Sequence, residues 1–380
     1  MSNASPIPLS DTSFDEEVLR AAGDALASGW WSTGPRVEAF EEACAEFVGT
    51  RHAVAVSSGT AALHLALLAA GCGPGDEVVV PSLTFVAAAN SVRHVGAGPV
   101  FCDIRGPEDL NLDPDDVRAA ITDRTRALLV LHYAGYPCDM DALRSLAEEH
   151  DLVLLEDAAH ALGATWRGEG CGSLGTAGCF SFFANKNLPI GEGGLVVTDD
   201  DAFAADVRLL RSHGMTTLTL DRKRGHAASY DVTSAGFNYR LDEVRAAMGT
   251  VQLRRLDGYN EARRRLVALY REGIASLDGV TMPFADPPPH ATSAAHLAVA
   301  LLPVGADRAA VRERMRAAGV QTSVHYPPIH TFTAYADVRG ARPLPRTEGV
   351  EARLLTLPLF PHLRDDQVEA VLQALRDALV

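Results

Sequence analysis

Lysine is nearly absent from this sequence. Only Lys186 and Lys223 stand among 380 residues, against thirty-two arginines. Wherever any cation would serve, the chain uses Arg, so a retained Lys suggests a task closed to guanidinium, such as acting as a neutral amine nucleophile. A basic excess is also missing: 34 Lys and Arg face 49 Asp and Glu, a formal net charge of −15. That balance argues against a nucleic-acid or anionic-membrane partner and leaves room for a small anion in a local pocket. No apolar run approaches the roughly 18 residues of a membrane span. The opening MSNASPIPLS has no basic residue and no apolar stretch, so it is not read as a secretory signal, and its Ser-Asn-Ala is set aside from the fold. The six cysteines (Cys44, Cys72, Cys102, Cys138, Cys171, Cys179) form no CxxC pair. Metal ribbons and redox dithiols are therefore not expected, and buried free thiols in a reducing cytoplasm are. What remains is an ordinary globular composition, 47% hydrophobic and 22% charged, enough for about two domains or one large α/β unit at roughly 150 residues per domain.

The first two-thirds alternates strand-like and helix-like segments. Strands are expected at His52–Ser57, Val78–Pro81, Val100–Ile104, Ala127–His132 and Leu152–Glu156. Helices are expected at Thr60–Ala70, Val86–Val95, Pro114–Ile121 and Met140–His150. The strands are short continuous apolar runs, which fits a mostly parallel sheet covered by helices on both faces. Two further strands, Cys179–Ala184 and Gly194–Thr198, flank the Gly-rich NKNLPIGEG. Helices follow at Asp201–Ser212, Leu241–Leu256 and Glu261–Leu277. After the Pro-rich PFADPPPH come a strand His296–Leu302, a helix Arg308–Ala318, a strand Val320–His325 and a last helix Asp366–Leu379. The fold class is α/β: a large domain over 10–255 with an N-terminal arm, then a smaller α+β unit over 256–380.

Three features could carry chemistry. The turn Ser57-Ser58-Gly59-Thr60-Ala61 puts a glycine and small hydroxyls at a helix N-terminus, where free N–H groups favour a phosphate; a plain N-cap is the alternative. The dinucleotide fingerprint GxGxxG is absent. Asp157 follows the run LVLLE, at the carboxyl end of a central strand where ligands of parallel sheets bind, although it could equally cap a turn. Lys186 follows CFSFFA and precedes a Gly-rich loop. Together, a phosphate cradle, a strand-end carboxylate and an amine 29 residues further on match what pyridoxal 5'-phosphate requires. The lysine forms the Schiff base, and the carboxylate keeps the pyridine nitrogen protonated.

The blocks SSGTAALHLAL, GPGDEVVVPSLTFVAAAN, EDAAHALGA, FSFFANKNLPIGEGGLVVT, GFNYRLDE, TSVHYPPIH and LPLFP, taken in order, resemble the DegT/StrS-type sugar aminotransferases, with fold-type I (aspartate aminotransferase-like) architecture, from about Gly29 onward. HYAGYPCDMD, EDAAHA and GGLVVTDDD are closest to the C4 aminotransferases that act on nucleotide sugars. The resemblance implies that Lys186 bonds the cofactor and shuttles the proton, and that Asp157 pairs with the pyridine nitrogen. It further implies that Gly59, Thr60, Ala61 and Ser181 hold the phosphate, with Asn238 reaching it from the partner of a homodimer. Phe85 would stack on the ring, where the C4 aminotransferase that aminates a UDP-4-keto-pentose tends to carry Trp. His160, where many members have Gln, would lie near the ring and its phenolic oxygen. Thr33 and His325 resemble substrate-side positions and Arg240 could take a carboxylate, with structural roles equally open for each.

The expected reaction is amino transfer from L-glutamate to a nucleotide-linked keto sugar, at C4 of a dTDP- or UDP-4-keto sugar. C3 amination, another pyridoxal-dependent lyase or aldolase, and a non-catalytic regulator keeping the fold are the alternatives. No metal is expected.

Overall fold

The computed structural model describes residues 6–12, 14–217, 229–338 and 342–380; Lys223 lies outside them. Its strands are β1 (His52–Val56), β2 (Glu77–Pro81), β3 (Gly98–Cys102), β4 (Thr125–Leu131), β5 (Val153–Asp157), β6 (Thr165–Trp166), β7 (Glu169–Gly170), β8 (Ala177–Ser181), β9 (Gly194–Thr198), β10 (Ala291–Thr292), β11 (Ala298–Leu301) and β12 (Leu354–Leu357). The α-helices are α1 (Glu16–Ala27), α2 (Pro35–Val48), α3 (Gly59–Ala69), α4 (Ala87–His94), α5 (Pro114–Ala120), α6 (Met140–Glu149), α7 (Asp201–Arg211), α8 (Glu243–Leu253), α9 (Leu256–Ile274), α10 (Arg308–Ala317), α11 (Pro345–Glu351) and α12 (Asp365–Ala378).

Seven strands form the main sheet in the order β1-β9-β8-β5-β4-β2-β3. All run parallel except β9, which is antiparallel to both β1 and β8. The connection from β8 to β9 is a loop without a crossover helix, and such a return leaves only the antiparallel direction open. Alternate residues of each strand enter different cores. Ala53, Ala55, Val79, Leu128 and Val130 pack on one face, while Val54, Val56, Val78, Val80, Ala127 and Leu129 pack on the other. This double burial is why the strands read as unbroken apolar runs. Helix α3 is apolar nearly all round, with Leu63, Leu65 and Leu67 all buried. Each such leucine contributes roughly 1.5–3 kcal/mol of burial.

A third core gathers around the antiparallel pair β11–β12. Leu266, Tyr270 and Ile274 of α9, Val311 and Met315 of α10, and Val368, Val371 and Leu375 of α12 close on it. The strand expected over Val320–His325 does not form. Val320 makes one bridge to Ile7, and Ser323 makes one to Thr356. Two prolines then follow, Pro327 and Pro328, which lack the N–H a ladder needs. The helix expected over Leu241–Leu256 is broken between Leu253 and Leu256, where α9 begins, five residues ahead of its expected start. Helices α1, α2 and α11 and strands β6, β7, β10 and β12 add elements beyond those expected. No helix among the described residues is long and apolar enough to cross a membrane.

Candidate active site

The carboxyl ends of β4, β5 and β8 open onto a cavity of about 370 Å³. Gly59, Thr60, Phe85, Asp157, His160, Ser181, Lys186 and His325 line it together, although they are spread over more than 260 positions of sequence. Parallel strands end here and their following loops diverge, which is where open α/β sheets bind ligands.

Each wall has a local cause. Ser58 caps α3 by accepting from the Ala61 N–H at 3.1 Å, the plain N-cap expected as the alternative. The remaining first-turn N–H groups, those of Gly59 and Thr60, have no intrahelical acceptor. Ala61 does not line the cavity, and its expected phosphate contact is already committed to Ser58. A Cβ on Gly59 would lie 2.8 Å from Ser181 Cβ, so glycine is what lets the helix start approach that hydroxyl. Asp157 ends β5, the fourth strand of seven, and is 5% exposed. It accepts one bond, from the Ala159 N–H at 3.1 Å. Burial pushes its carboxyl above the usual carboxylate range, opposed by that N–H and by the charges of Lys186 and His132. Burial pulls the Lys186 amine from 10.5 down to about 8, with Asp157 opposing. A drop of that size raises the free-amine fraction at neutral pH by about 300-fold. His325 is held near 4, first by burial and then by Lys186, and its Nδ1 lies 2.9 Å from Thr356 Oγ1.

Three expected residues lie elsewhere. Thr33 and Arg240 line a separate cleft of about 340 Å³, and the Thr33 hydroxyl donates to the Leu241 carbonyl at 2.7 Å. Asn238 is exposed and bridges to Ser212. In this chain, then, none of the three faces Lys186. Sequence reasoning also missed several residues of the wall: Thr84, Asn185, Glu192 and Tyr326. Asn185 adjoins Lys186 and Tyr326 adjoins His325, so adjacency to a singled-out residue was the available signal. Thr84 carried none beyond its place beside Phe85.

The wall fits pyridoxal 5'-phosphate. Thr84 Oγ1 and Asn185 Oδ1 are buried without a partner in a cavity that also holds a low-pKa amine, a carboxylate at a strand end and a hydroxyl beside a helix N-terminus. Buried polar atoms are usually hydrogen-bonded, and a ligand can supply the missing partners here. Among the described residues no arginine lines the cavity, and Lys186 is the lysine that does.

Comparison with known proteins places these observations in a lineage. The model of the DegT/DnrJ/EryC1/StrS aminotransferase family matches residues 12–376. The spore coat polysaccharide biosynthesis protein SpsC of Bacillus subtilis (strain 168) is 40% identical over 376 residues, covering 98% of this chain and 96% of that one. The aminotransferase TlmJ from Streptoalloteichus hindustanus superposes with a TM-score of 0.92 at 36% identity, covering 99% of both chains. S. venezuelae DesV, solved in complex with a ketimine intermediate, gives a TM-score of 0.90 at 39% identity over 98% of both chains.

Proposed function

The chain belongs to the DegT/DnrJ/EryC1/StrS aminotransferase family and is a pyridoxal-phosphate-dependent sugar aminotransferase of fold type I; from that premise we propose that it moves the amino group of L-glutamate to C4 of a dTDP- or UDP-linked 4-keto sugar, for amino-sugar biosynthesis. The observation that carries the site assignment is Lys186, an amine brought to about 8 in one cavity with Asp157, Ser181 and the start of α3.

When bound, pyridoxal phosphate supplies the electron sink that makes an amino acid's α-hydrogen acidic. Asp157 holds the proton on the ring nitrogen, because a buried carboxylate with one N–H partner is stabilised by sharing it. The N–H groups of Gly59 and Thr60 and the Ser181 hydroxyl take the phosphate. Phe85, 55% exposed, covers the ring face. Lys186 Nζ takes and returns the proton at the substrate carbon, which a group with a pKa near the working pH does most efficiently. His325, neutral near pH 7, offers the sugar a hydrogen bond without adding charge.

The missing cations support a homodimer with shared sites. Phosphate, donor carboxylate and sugar diphosphate are all anionic, yet the described residues of this chain put one amine, that of Lys186, on the cavity wall. Asn238 and Arg240, which lie outside this chain's own cavity, would serve the neighbouring one, and the exposed Phe14, Leu19, Trp31, Tyr230 and Val232 would supply apolar area for the contact. The span 10–255 would hold the cofactor and 256–380 would close over it. Six buried free thiols support a cytoplasmic setting.

The test is borohydride reduction of the active enzyme followed by peptide mapping, with amino transfer from L-glutamate to 4-keto nucleotide sugars and location of the new C–N bond by NMR. Residue 186 should carry the label, and Lys186→Arg should lose transfer. An active enzyme unlabelled at 186 overturns the site assignment. An amine at C3, or release of pyruvate or an aldehyde without transfer, overturns the reaction.

A further inference from the structure

His160 was expected to touch the cofactor's phenolic oxygen, and its hydrogen bonding points to a different division of labour. The side chain is 3% exposed. Nε2 lies 2.9 Å from the Tyr326 hydroxyl, whereas Nδ1 is buried and has no partner. Burial, with the charges of Lys186 and His325, holds the imidazole well below its ordinary value, so one ring nitrogen carries a hydrogen and the other does not. A hydrogen on Nδ1 would be a buried donor with no partner in this chain. A hydrogen on Nε2 is donated to Tyr326 and leaves only a lone pair unmet, the less costly arrangement because orphaned N–H groups are the rarer kind.

That choice fixes Tyr326. Its oxygen accepts from His160, and no other hydrogen-bond partner of the hydroxyl occurs among the described residues. Its own hydrogen must therefore point elsewhere. Tyr326 lines the cavity with Lys186 and Asp157, its ring centroid 5.9 Å from that of Phe85, so the open direction is the cavity. Burial and the nearby Asp157 charge keep the phenol protonated, hence a donor.

We infer that Tyr326 donates a hydrogen bond to an oxygen of the bound cofactor or keto sugar, and that His160 is the positioning residue that aims it. The inference rests on the proposed pyridoxal-dependent reaction and adds a contact residue to it. Two measurements on the holoenzyme decide it. In protein carrying isotope-labelled histidine, NMR reads the tautomer of His160, whose signals are identified by their loss in His160→Gln. Nε2 should be protonated; a protonated Nδ1 overturns the inference. Tyr326→Phe then removes only the hydroxyl. A shifted pH titration of the visible cofactor band marks a cofactor oxygen as acceptor. An unshifted titration with the sugar half-reaction slowed about 10-fold, using a dTDP-4-keto-6-deoxyhexose as probe, marks a sugar oxygen. His160→Leu should reproduce the Tyr326→Phe effect, and His160→Gln, whose amide can still donate, should show less of it. A Tyr326→Phe enzyme equal to wild type in both titration and rate overturns the inference. If wild-type protein binds no pyridoxal phosphate, the parent reading fails instead, and the tautomer measured on the cofactor-free protein still decides where the Tyr326 hydroxyl points.

Discussion

Glu156 and Asp157 are consecutive residues at the end of β5, both buried, and they face regions built on opposite plans. Glu156 is saturated. It accepts from the N–H groups of Gly172, Leu174 and Gly175, each at 2.7 Å, and from His132 Nε2 at 2.8 Å. The Cys138 N–H donates to His132 Nδ1 at 3.1 Å, so Nε2 is the nitrogen bearing the hydrogen. Asp157 faces the cavity with a single N–H partner, among Thr84 and Asn185 oxygens that have none. Strand alternation sends neighbouring side chains to opposite faces, and here one carboxylate clamps a loop while the other faces the cavity with most of its hydrogen-bonding capacity unused. Burial alone does not distinguish a structural carboxylate from a functional one; the completeness of its hydrogen bonding does.

The contrast can be broken most directly by removing the saturated partner. Glu156→Ala strands four donors in the interior and should lower the unfolding free energy by about 3–5 kcal/mol, measured by urea denaturation; Glu156→Gln, which keeps an accepting oxygen, should recover part of that. A Glu156→Ala protein of wild-type stability would erase the distinction. Asp157→Asn should act the other way, cutting amino transfer by about 10²–10³-fold without loss of fold. Because burial raises the folded-state pKa of Asp157, its favourable contribution is present below the unfolded value and lost as pH rises through the folded one. Cofactor-free Asp157→Asn should therefore be at least as stable as wild type at neutral pH, the gap closing in acid below the ordinary carboxylate range. Thermal melts at both extremes check this.

The amine sharpens the comparison further. The rate at which cofactor-free protein develops the visible band with pyridoxal phosphate should rise with pH and level off above about 8, the value of Lys186. Asp157→Asn should move that midpoint downward, since the carboxylate's charge opposes the effect of burial. A midpoint at the ordinary lysine value would count against a desolvated site. The smallest effect on function is expected at the cradle: Gly59→Ala, crowding Ser181, should weaken cofactor binding about 10-fold by equilibrium dialysis and lower the melting temperature, because Ser181 Cβ cannot swing aside.

Much of the site was legible because its residues sit at ends of local elements. Asp157 closes an apolar run, Ser58 to Thr60 sit where strand periodicity gives way to a helix, and Lys186 stood out by scarcity. Other features were hidden for identifiable reasons. Helix α1 has Asp15 as a side-chain cap and two glutamates in its first turn, start signals that went unused because the segment lies ahead of the first recognisable strand. Strand β12 is four residues long and is defined by its pairing with β11 rather than by its own pattern. Thr33 and Arg240 sit by sequence among substrate-side motifs, yet in this chain they face a different cleft.

The βα alternation of the main sheet, its double-sided burial and the candidacy of Lys186 were legible in residue pattern, because periodicity and scarcity are properties a chain displays without folding. Which buried groups are satisfied was decided only in three dimensions. Tyr326 meets His160 across 166 positions, and Asn187 meets Asn260 across 73. Contacts at such separations depend on how two cores dock, and no local repeat in the chain encodes that geometry.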